Sequence, residues 1–508
     1  MLVGVDIGAT SIKVGVFDDA GKSVAVATRS NRPHPQEPGG SRGHMIWDAE
    51  EIWRQVSDAM REVTVGLPSG DILRAVAVSG FGADGAPFSR AGHRQLYPII
   101  SWHDDRAAAQ ASRIERDLGA DHIYEVTGYH AYPINTLNRW AWLAEHAPYA
   151  LEAATWLMVP DIVAFRLCGE MRTDPTSAST TMAFDLRAND WAPDLLAAAG
   201  VSNELPASLA QPGEPIGRVT AVAAEQTGLP VGTLVVVGGH DCEVGALVAA
   251  AGMPDDAFVD ITGTWEMLLV QLDAFTPDRG QYDRGIDWER HAIGGSYLCE
   301  SLMPAGSVLN WLRDLLYGGA SGEGWDALVR DAAAVAPGAG GVAMVPSFVP
   351  GMGPYGRIAH SAVVLGLRTT TSRAQLARAA FEALCYQLRQ QLEVIESIAG
   401  RSCATLRVLG GAQRNDFWLQ LKADVTQRSV EAVSVDEATL HGAALLAGVG
   451  AGIFDSIAEA QEAVELPIRS FEPDAGALDR YAELYEGVFL RLPAATADAT
   501  RALAEVGE

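Results

Sequence analysis

One short pattern occurs twice, each time in the same setting. Asp6-Ile7-Gly8-Ala9-Thr10 closes the apolar run LVGVDIG and precedes SIKVGVFD. Asp260-Ile261-Thr262-Gly263-Thr264 lies inside AFVDITGTWEMLLVQ. Both stretches alternate β-branched and smaller residues around a tight turn, so each predicts a strand–turn–strand unit. Two such units at the heads of two strand–helix cycles, the second starting near residue 257, predict an α/β chain built twice. The length of 508 residues accommodates this, since about 150 residues per domain gives two to four domains.

The rest of each cycle can be read from periodicity. After a turn at 19–22 and the strand SVAVATRS, the stretch IWDAEEIWRQVSDAMREV has helical spacing, with Asp48 and Glu51 in a capping-box pattern. ILRAVAVSGFG reads as a buried strand, residues 104–165 as mostly helical, and the polar 171–191 stretch as an insertion over the core. VGTLVVVGGHD is a buried strand, followed by a short alanine-rich helix. In the second cycle helices are expected near 307–317 and 372–399. TLRVLGGAQ is a strand entering a glycine turn, DFWLQLKADVTQ a helix, SVEAVSV a strand and ATLHGAALLAGVGAG a small-residue helix.

Charge and cysteine content narrow the function classes. A formal net charge of −27 repels nucleic-acid phosphates and anionic membranes, so no nucleic-acid partner and no membrane are expected. Local backbone dipoles can still cradle a phosphate in an acidic protein. Five widely spaced cysteines without a C-x-x-C pair suit free thiols in a reducing, cytoplasmic setting. The N-terminus has no basic region and runs directly into a strand, which does not fit a signal peptide.

Four glycine-bearing turns carry candidate chemistry. In DIGAT, Gly8 and Thr10 offer N–H and hydroxyl donors to a terminal phosphate, and Asp6 reaches a hydrated Mg²⁺. Thr262, Gly263 and Thr264 can serve the other phosphates from a facing turn. The strand VVV delivers Gly238, Gly239, His240 and Asp241 to its carboxyl end, where open α/β sheets bind ligands. Asp241 is a candidate base for phosphoryl transfer to a hydroxyl, with the glycines letting substrate approach; the alternative is a helix cap. His240 reads as a structural or substrate-bonding residue. Gly410 and Gly411 in LGGAQRND can let a nucleoside lie against backbone, or form an ordinary turn. The polar islands SGFGADGA and SWHDDR place Asp84, Trp102, His103, Asp104 and Arg106 beside apolar strands, as sugar ligands or as turn and surface ion-pair residues. There is no P-loop motif, and no dinucleotide fingerprint follows the first strand, which argues against a dehydrogenase.

Taken in order, DIGATSIK, SGFGADGAPFSRAGHRQLYPIISWHDDR, TDPTSASTTMAFD, GGHD, TGTWE, GGAQRNDFWLQLKADV and HGAALLAGVGAGIF resemble the FGGY family of carbohydrate kinases across nearly the whole chain. The resemblance implies an α/β fold of two RNase H-like domains, of the actin/Hsp70/hexokinase ATPase type, flanking a catalytic cleft. It implies residues 1–247 as the sugar-binding, base-carrying domain and 248–508 as the nucleotide-binding one. It implies ATP and Mg²⁺ as cofactors, Asp241 as base, Asp6 near the metal, and Thr10 and Thr264 on phosphates. Gly410, Gly411 and Gln413 would border adenosine, and Phe81, Gly82 and Asp84 would shape a small-sugar pocket. Dimers are common in that family, so a homodimer is expected. FGADGA, YPIISW and GTWE are most similar to the fuculose- and rhamnulose-kinase branch, with L-fuculose the preferred substrate. Phe81-Gly82 replaces the Arg-Glu of glycerol kinases and the Met-His of xylulose kinases. His103-Asp104-Asp105-Arg106 departs from the Lys-Cys-Pro-Arg usual in fuculose kinases. The rival readings are another sugar kinase of the family, acting on L-rhamnulose, xylulose, ribulose or a sugar acid, and a non-catalytic sugar- or ATP-binding sensor on the same fold.

Overall fold

The computed structural model describes residues 1–36, 43–65, 67, 73–319, 322–349, 353–355, 361–435 and 437–507. Ile72, at the start of the expected strand ILRAVAVSGFG, lies outside them.

Two sheets carry the chain, and they share a strand order. The first runs Pro215–Arg218, Leu234–His240, Ala75–Gly80, Leu2–Ile7, Ser11–Phe17, Ser23–Ser30. The second runs Ile468–Phe471, Ser429–Val433, Thr405–Leu409, Ala257–Thr262, Trp265–Leu272, Tyr297–Pro304, with Ile286–Arg290 added at the edge. In each, an antiparallel three-strand meander is extended by two strands parallel to its first member and closed by an antiparallel edge strand. Asp6 pairs in register with Lys13 and Ser79, and Asp260 with Leu268 and Val408. The recurrence seen in the sequence is thus a recurrence of topology.

The expected helices form for local reasons. Asp48 Oδ1 accepts the N–H groups of Glu50 (2.9 Å) and Glu51 (3.3 Å), starting the helix Ala49–Val65. The Glu51 side chain faces His34 and Arg54. The long helix Arg373–Ala399 has a full capping box, Ser372 with Gln375.

Three segments differ from the expected layout. The region read as mostly helical contains the strand Ala154–Met158, paired with Gly85–Ser89. The strands Ile286–Arg290 and Tyr297–Pro304 are not among the expected elements: Tyr297–Pro304 carries no alternation because nearly all of its residues are buried on both faces, and Ile286–Arg290 alternates apolar and polar residues within only 5 positions. The 171–191 stretch does not cover the core. Thr173, Asp174, Thr176, Ser177, Ser179, Thr180 and Thr181 are all buried, and they reach both halves of the molecule. Its hydroxyls satisfy buried backbone groups: Ser179 accepts from Arg290 N–H at 3.0 Å, and Thr180 from Ala83 N–H at 2.8 Å.

The two halves also exchange helices. Asp241–Ala249 packs Ala246 and Ala249 against Val259, Leu269 and Leu409 of the second sheet. Ala438–Gly450 packs Leu440, Ala443 and Ala447 against Leu2, Ala75 and Val236 of the first. Small residues allow this close approach. A Cβ on Gly4 would sit 2.2 Å from Leu440 O, and one on Gly442 would sit 2.1 Å from Val244 O. The helix pair therefore forms a tight crossing between the units, with Asp241 at one end.

Candidate active site

The strand Leu234–His240 ends with a register shift against Ala75–Gly80, between Val237 and Gly239. Both glycines serve this packing, which differs from their expected role in admitting substrate. A Cβ on Gly238 would lie 2.1 Å from Val78 O, and Gly239 has φ +133° with Thr176 Oγ1 at 2.7 Å from its would-be Cβ. Asp241 is the first residue of the following helix and His240 is its N-cap, with no side-chain cap bond. Asp241 Oδ1 accepts the adjacent Cys242 N–H at 2.8 Å and faces His240 Nε2 at 3.3 Å. Its side chain keeps 26% exposure, so the carboxylate faces the cleft.

His240 is held from three sides. Its N–H donates to Thr176 Oγ1 (2.8 Å), and Thr176 is fixed by Asp174, the cap of the buried helix Pro175–Ser179. Its Nδ1 lies 2.9 Å from Glu289 Oε2 and its Nε2 3.3 Å from Asp241 Oδ1. Glu289 comes from the second sheet and receives the Tyr129 hydroxyl. Burial alone would lower the imidazole pKa, but Glu289 and then Asp241 outweigh it and hold the ring protonated, up to about 10.

Asp6 stands across from Asp241. Burial first, and then the charge of Asp241, push its carboxyl up to about 7. Its strand partner Lys13 lowers it, but the Lys13 ammonium itself pairs with Glu437 at 2.5 Å. The turn after Asp6 is closed by Gly8 N–H to Ser11 O (2.9 Å), and Asn31 Nδ2 donates to Gly8 O (2.9 Å). The second turn is closed by Gly263 N–H to Trp265 O (2.7 Å). Both glycine N–H groups are thus used inside their own turns, while Thr10 and Thr264 are exposed. The Thr262 hydroxyl is turned away from the cleft: it is fully buried, donates to Asp260 (2.7 Å) and receives Lys422 Nζ (2.6 Å).

Two cavities meet beneath the glycine turn. One of about 420 Å³ is lined by Asp6, Lys13, Asp241, Gly410, Gln413 and Glu437. The other, of about 950 Å³, is lined by Gly263, Thr264, Asn310, Trp325, Asn415 and Phe417. Gly411 and Arg414 border both. Gly410 has φ +81°, and a Cβ there would lie 2.6 Å from Thr262 O, so the turn fits closely over the second hairpin.

The expected sugar-side residues form a separate hydrogen-bonded and stacked cluster. Asp84 is fully buried: Arg139 Nη1 binds Oδ1 at 2.5 Å, and Trp47 Nε1 (2.6 Å) and Trp102 N–H (3.0 Å) bind Oδ2. The carboxylate acts by positioning these neighbours. Phe81 packs on Trp47 (4.9 Å between centroids), and the half-exposed Trp102 stacks on His103 (3.7 Å). Gly82 leaves room for Thr180, whose Cγ2 would be 2.6 Å from a Cβ. Asp104 and Arg106 form a buried ion pair at 2.5 Å, not a surface one.

Of the residues singled out in the sequence, the cleft therefore gathers Asp6, Asp241, Gly410, Gly411 and Gln413 around one cavity, and Gly263 and Thr264 around its neighbour. Glu289, Lys422, Thr176 and Arg139 were not singled out. Each is an ordinary residue in its own segment and gains a role only through a partner distant in sequence.

The donor set distinguishes two kinds of occupant. Asp6 offers a hard oxygen donor whose pKa is raised by burial and then by a second carboxylate, an environment that a hydrated Mg²⁺ would relieve. The joined cavities, floored by the Gly410-Gly411 backbone, have room for a nucleotide-sized ligand.

Models of the FGGY family of carbohydrate kinases match the chain twice, the N-terminal domain over residues 1–248 and the C-terminal domain over 260–451. An L-fuculokinase of Escherichia coli (strain K12) is 33% identical over 477 residues, covering 93% of this chain and 97% of that protein. An autoinducer-2 kinase of Salmonella paratyphi B is 29% identical over 495 residues, covering 93% and 90%. Among solved structures, a xylulose kinase from Rhodospirillum rubrum superposes with a TM-score of 0.87 at 24% identity, covering 98% of this chain and 99% of that one.

Proposed function

The chain belongs to the FGGY family of carbohydrate kinases, and on that premise we propose that it phosphorylates a hydroxyl of a small ketose, L-fuculose first, with Asp241 as the base. The chain is a phosphotransferase that carries a phosphoryl group from ATP to a sugar hydroxyl. The observation that carries the reading of its site is Asp241, a cleft-facing carboxylate in a cavity shared with Asp6 and the Gly410 turn.

In this mechanism residues 1–247 hold the sugar and 248–508 the nucleotide. Asp241 takes the proton of the attacking hydroxyl. The cluster of Phe81, Gly82, Trp102 and His103 orients the ring, with Asp84 fixing Trp102 from behind. Thr264 and Thr10 offer donors to the phosphates, and Gly410, Gly411 and Gln413 border the nucleoside. Mg²⁺ at Asp6 supplies, when bound, neutralisation of charge between the phosphates. Closure about the crossed helices excludes water and aligns hydroxyl and phosphate. Five unpaired thiols suit a cytoplasmic setting.

The 33% identity to an L-fuculokinase and the segments FGADGA and GTWE support L-fuculose. A second reading, a different small ketose such as L-rhamnulose or ribulose, is favoured by His103-Asp104-Asp105-Arg106, the commoner family form. A coupled ADP-release assay with Mg·ATP tests both, against L-fuculose, L-rhamnulose, D- and L-xylulose, D- and L-ribulose, glycerol and erythronate. Preferential turnover of L-fuculose is expected. Turnover of another ketose replaces the first reading by the second, and ATP binding with no turnover favours a sensor.

A further inference from the structure

His240, Asp241 and Cys242 are consecutive, yet they present three different donor atoms to one point. A ring nitrogen, a carboxylate oxygen and a thiol sulfur all lie within 4.8 Å of one another. His240 Nε2 and Asp241 Oδ1 are 3.3 Å apart. The chain turns from strand to helix between His240 and Asp241, which brings the three side chains to the same side. We propose that these residues form a binding site for one thiophilic divalent metal ion of the Zn²⁺ or Cd²⁺ class, and that the ion blocks the cleft.

The spacing suits such an ion. Tetrahedral zinc with bonds of about 2.0–2.3 Å holds its ligand atoms roughly 3.5 Å apart. The donors therefore need to move by about an ångström or less. The neighbours of the three donors provide independent support. Glu289 engages the opposite ring nitrogen, Nδ1, at 2.9 Å, the carboxylate–histidine arrangement that commonly fixes a metal-bound imidazole with its other nitrogen free for the ion. Met267 Sδ lies 3.4 Å from Cys242 Sγ, adding a second soft sulfur from the other sheet. Both Asp241 and Cys242 border the 420 Å³ cavity, so an ion has a way in. The carboxylates of Glu289 and Asp241 that favour a proton on His240 favour a dication at the same place.

The chemistry separates this site from that of the nucleotide's cation. Mg²⁺ selects oxygen ligands, whereas mixed nitrogen and sulfur donors select softer ions. Binding releases the Cys242 thiol proton and the His240 Nε2 proton to solvent, and the ion takes the lone pairs of Asp241. The binding claim stands on these donors alone; the expected inhibition rests on the reading of Asp241 as the base.

The test uses the full chain, stripped of metal and kept in excess Mg²⁺. Co²⁺ serves as the spectroscopic probe and Zn²⁺ is titrated against a chromophoric chelator. The wild type is expected to bind one ion per chain, with a thiolate-to-cobalt charge-transfer band. Cys242→Ser is expected to lose the band and to bind Zn²⁺ about tenfold or more weakly. Cys168→Ser, which alters the other partly exposed thiol, is expected to change neither. Inhibition by Zn²⁺, scaled to each protein's own metal-free rate, is expected to shift with Cys242→Ser by the same factor. Absence of a bound ion, or equal binding by wild type and Cys242→Ser, overturns the site. Cys242-dependent binding without inhibition upholds the site and overturns Asp241 as base.

Discussion

Asp6 and Asp260 occupy corresponding strands in two sheets of the same order, but only Asp260 is neutralised by a lysine from across its own unit. Lys422, buried on the helix Asp416–Thr426, donates to Asp260, to Glu266 at 2.5 Å and to Thr262 at 2.6 Å. The cation beside Asp6, Lys13, comes instead from the neighbouring strand of its own hairpin and is drawn to Glu437 at 2.5 Å. One copy of the motif is therefore locked into structure, and the other keeps a carboxylate in the cleft.

Removing Lys422 leaves two buried acids without a counter-charge. Lys422→Met is expected to destabilise the protein by about 3–5 kcal/mol, read as a lowered urea midpoint. Adding Asp260→Asn and Glu266→Gln to Lys422→Met is expected to recover much of the loss, since no charge then remains buried alone. A Lys422→Met protein with the wild-type midpoint would refute the cluster's structural role.

Asp241→Asn keeps the shape of the cleft and removes its base. Turnover is expected to fall by about 10²–10⁴-fold, with calorimetric ATP affinity unchanged. Normal turnover in the folded variant would remove Asp241 from the mechanism.

Glu289 touches His240 and not the cleft base, so its effect is transmitted through the ring. In Glu289→Gln the imidazole loses the neighbour that contributes most to holding its pKa near 10, and drops toward its ordinary 6.5. The rate is then expected to fall as pH rises through the neutral range, whereas the wild type holds its rate until pH approaches 10. At high pH the loss is expected to be on the order of tenfold or more through misplacement of Asp241. Superimposable pH–rate profiles would confine Glu289 to a packing role.

His291 offers the opposite sign. It is buried, its Nδ1 accepts Ile293 N–H at 3.0 Å, and desolvation lowers its pKa to about 4. The unfolded chain, with the ordinary 6.5, binds the proton first. The stability from a neutral His291 is thus present above pH 6.5 and lost as pH falls toward 4, by up to about 3 kcal/mol. His291→Gln is expected to lack this component when urea midpoints are compared at pH 7 and pH 5.

Gly410 combines φ +81° with a carbonyl 2.6 Å from any added Cβ. Gly410→Ala is expected to add about 1–2 kcal/mol of backbone strain and to raise KM for ATP more than KM for sugar. An unchanged ATP KM would separate this turn from nucleotide binding.

Much of this architecture is legible along the chain. Local rules carried the paired hairpins, the strand into Gly238-Gly239-His240-Asp241, the Asp48 cap and the small-residue helix at 438–450, because period, turn chemistry and capping act over a few residues. The order of the motifs was enough to indicate the family. Three-dimensional packing decided the rest. The strand Tyr297–Pro304 is buried on both faces and so lacks the alternation that marks a strand, and Ile286–Arg290 alternates over too few residues to stand out. The 173–181 stretch reads as a polar loop until its hydroxyls meet the N–H groups of Ala83, His240 and Arg290. The link of Glu289 to His240, of Arg139 to Asp84, and of Lys422 to Asp260 in preference to a solvated surface depends on contacts 49 or more residues apart in sequence. A buried charge is set by whatever folds against it, so the sequence by itself determined which residues could do chemistry, and only the tertiary structure decided which of them remained free to do it.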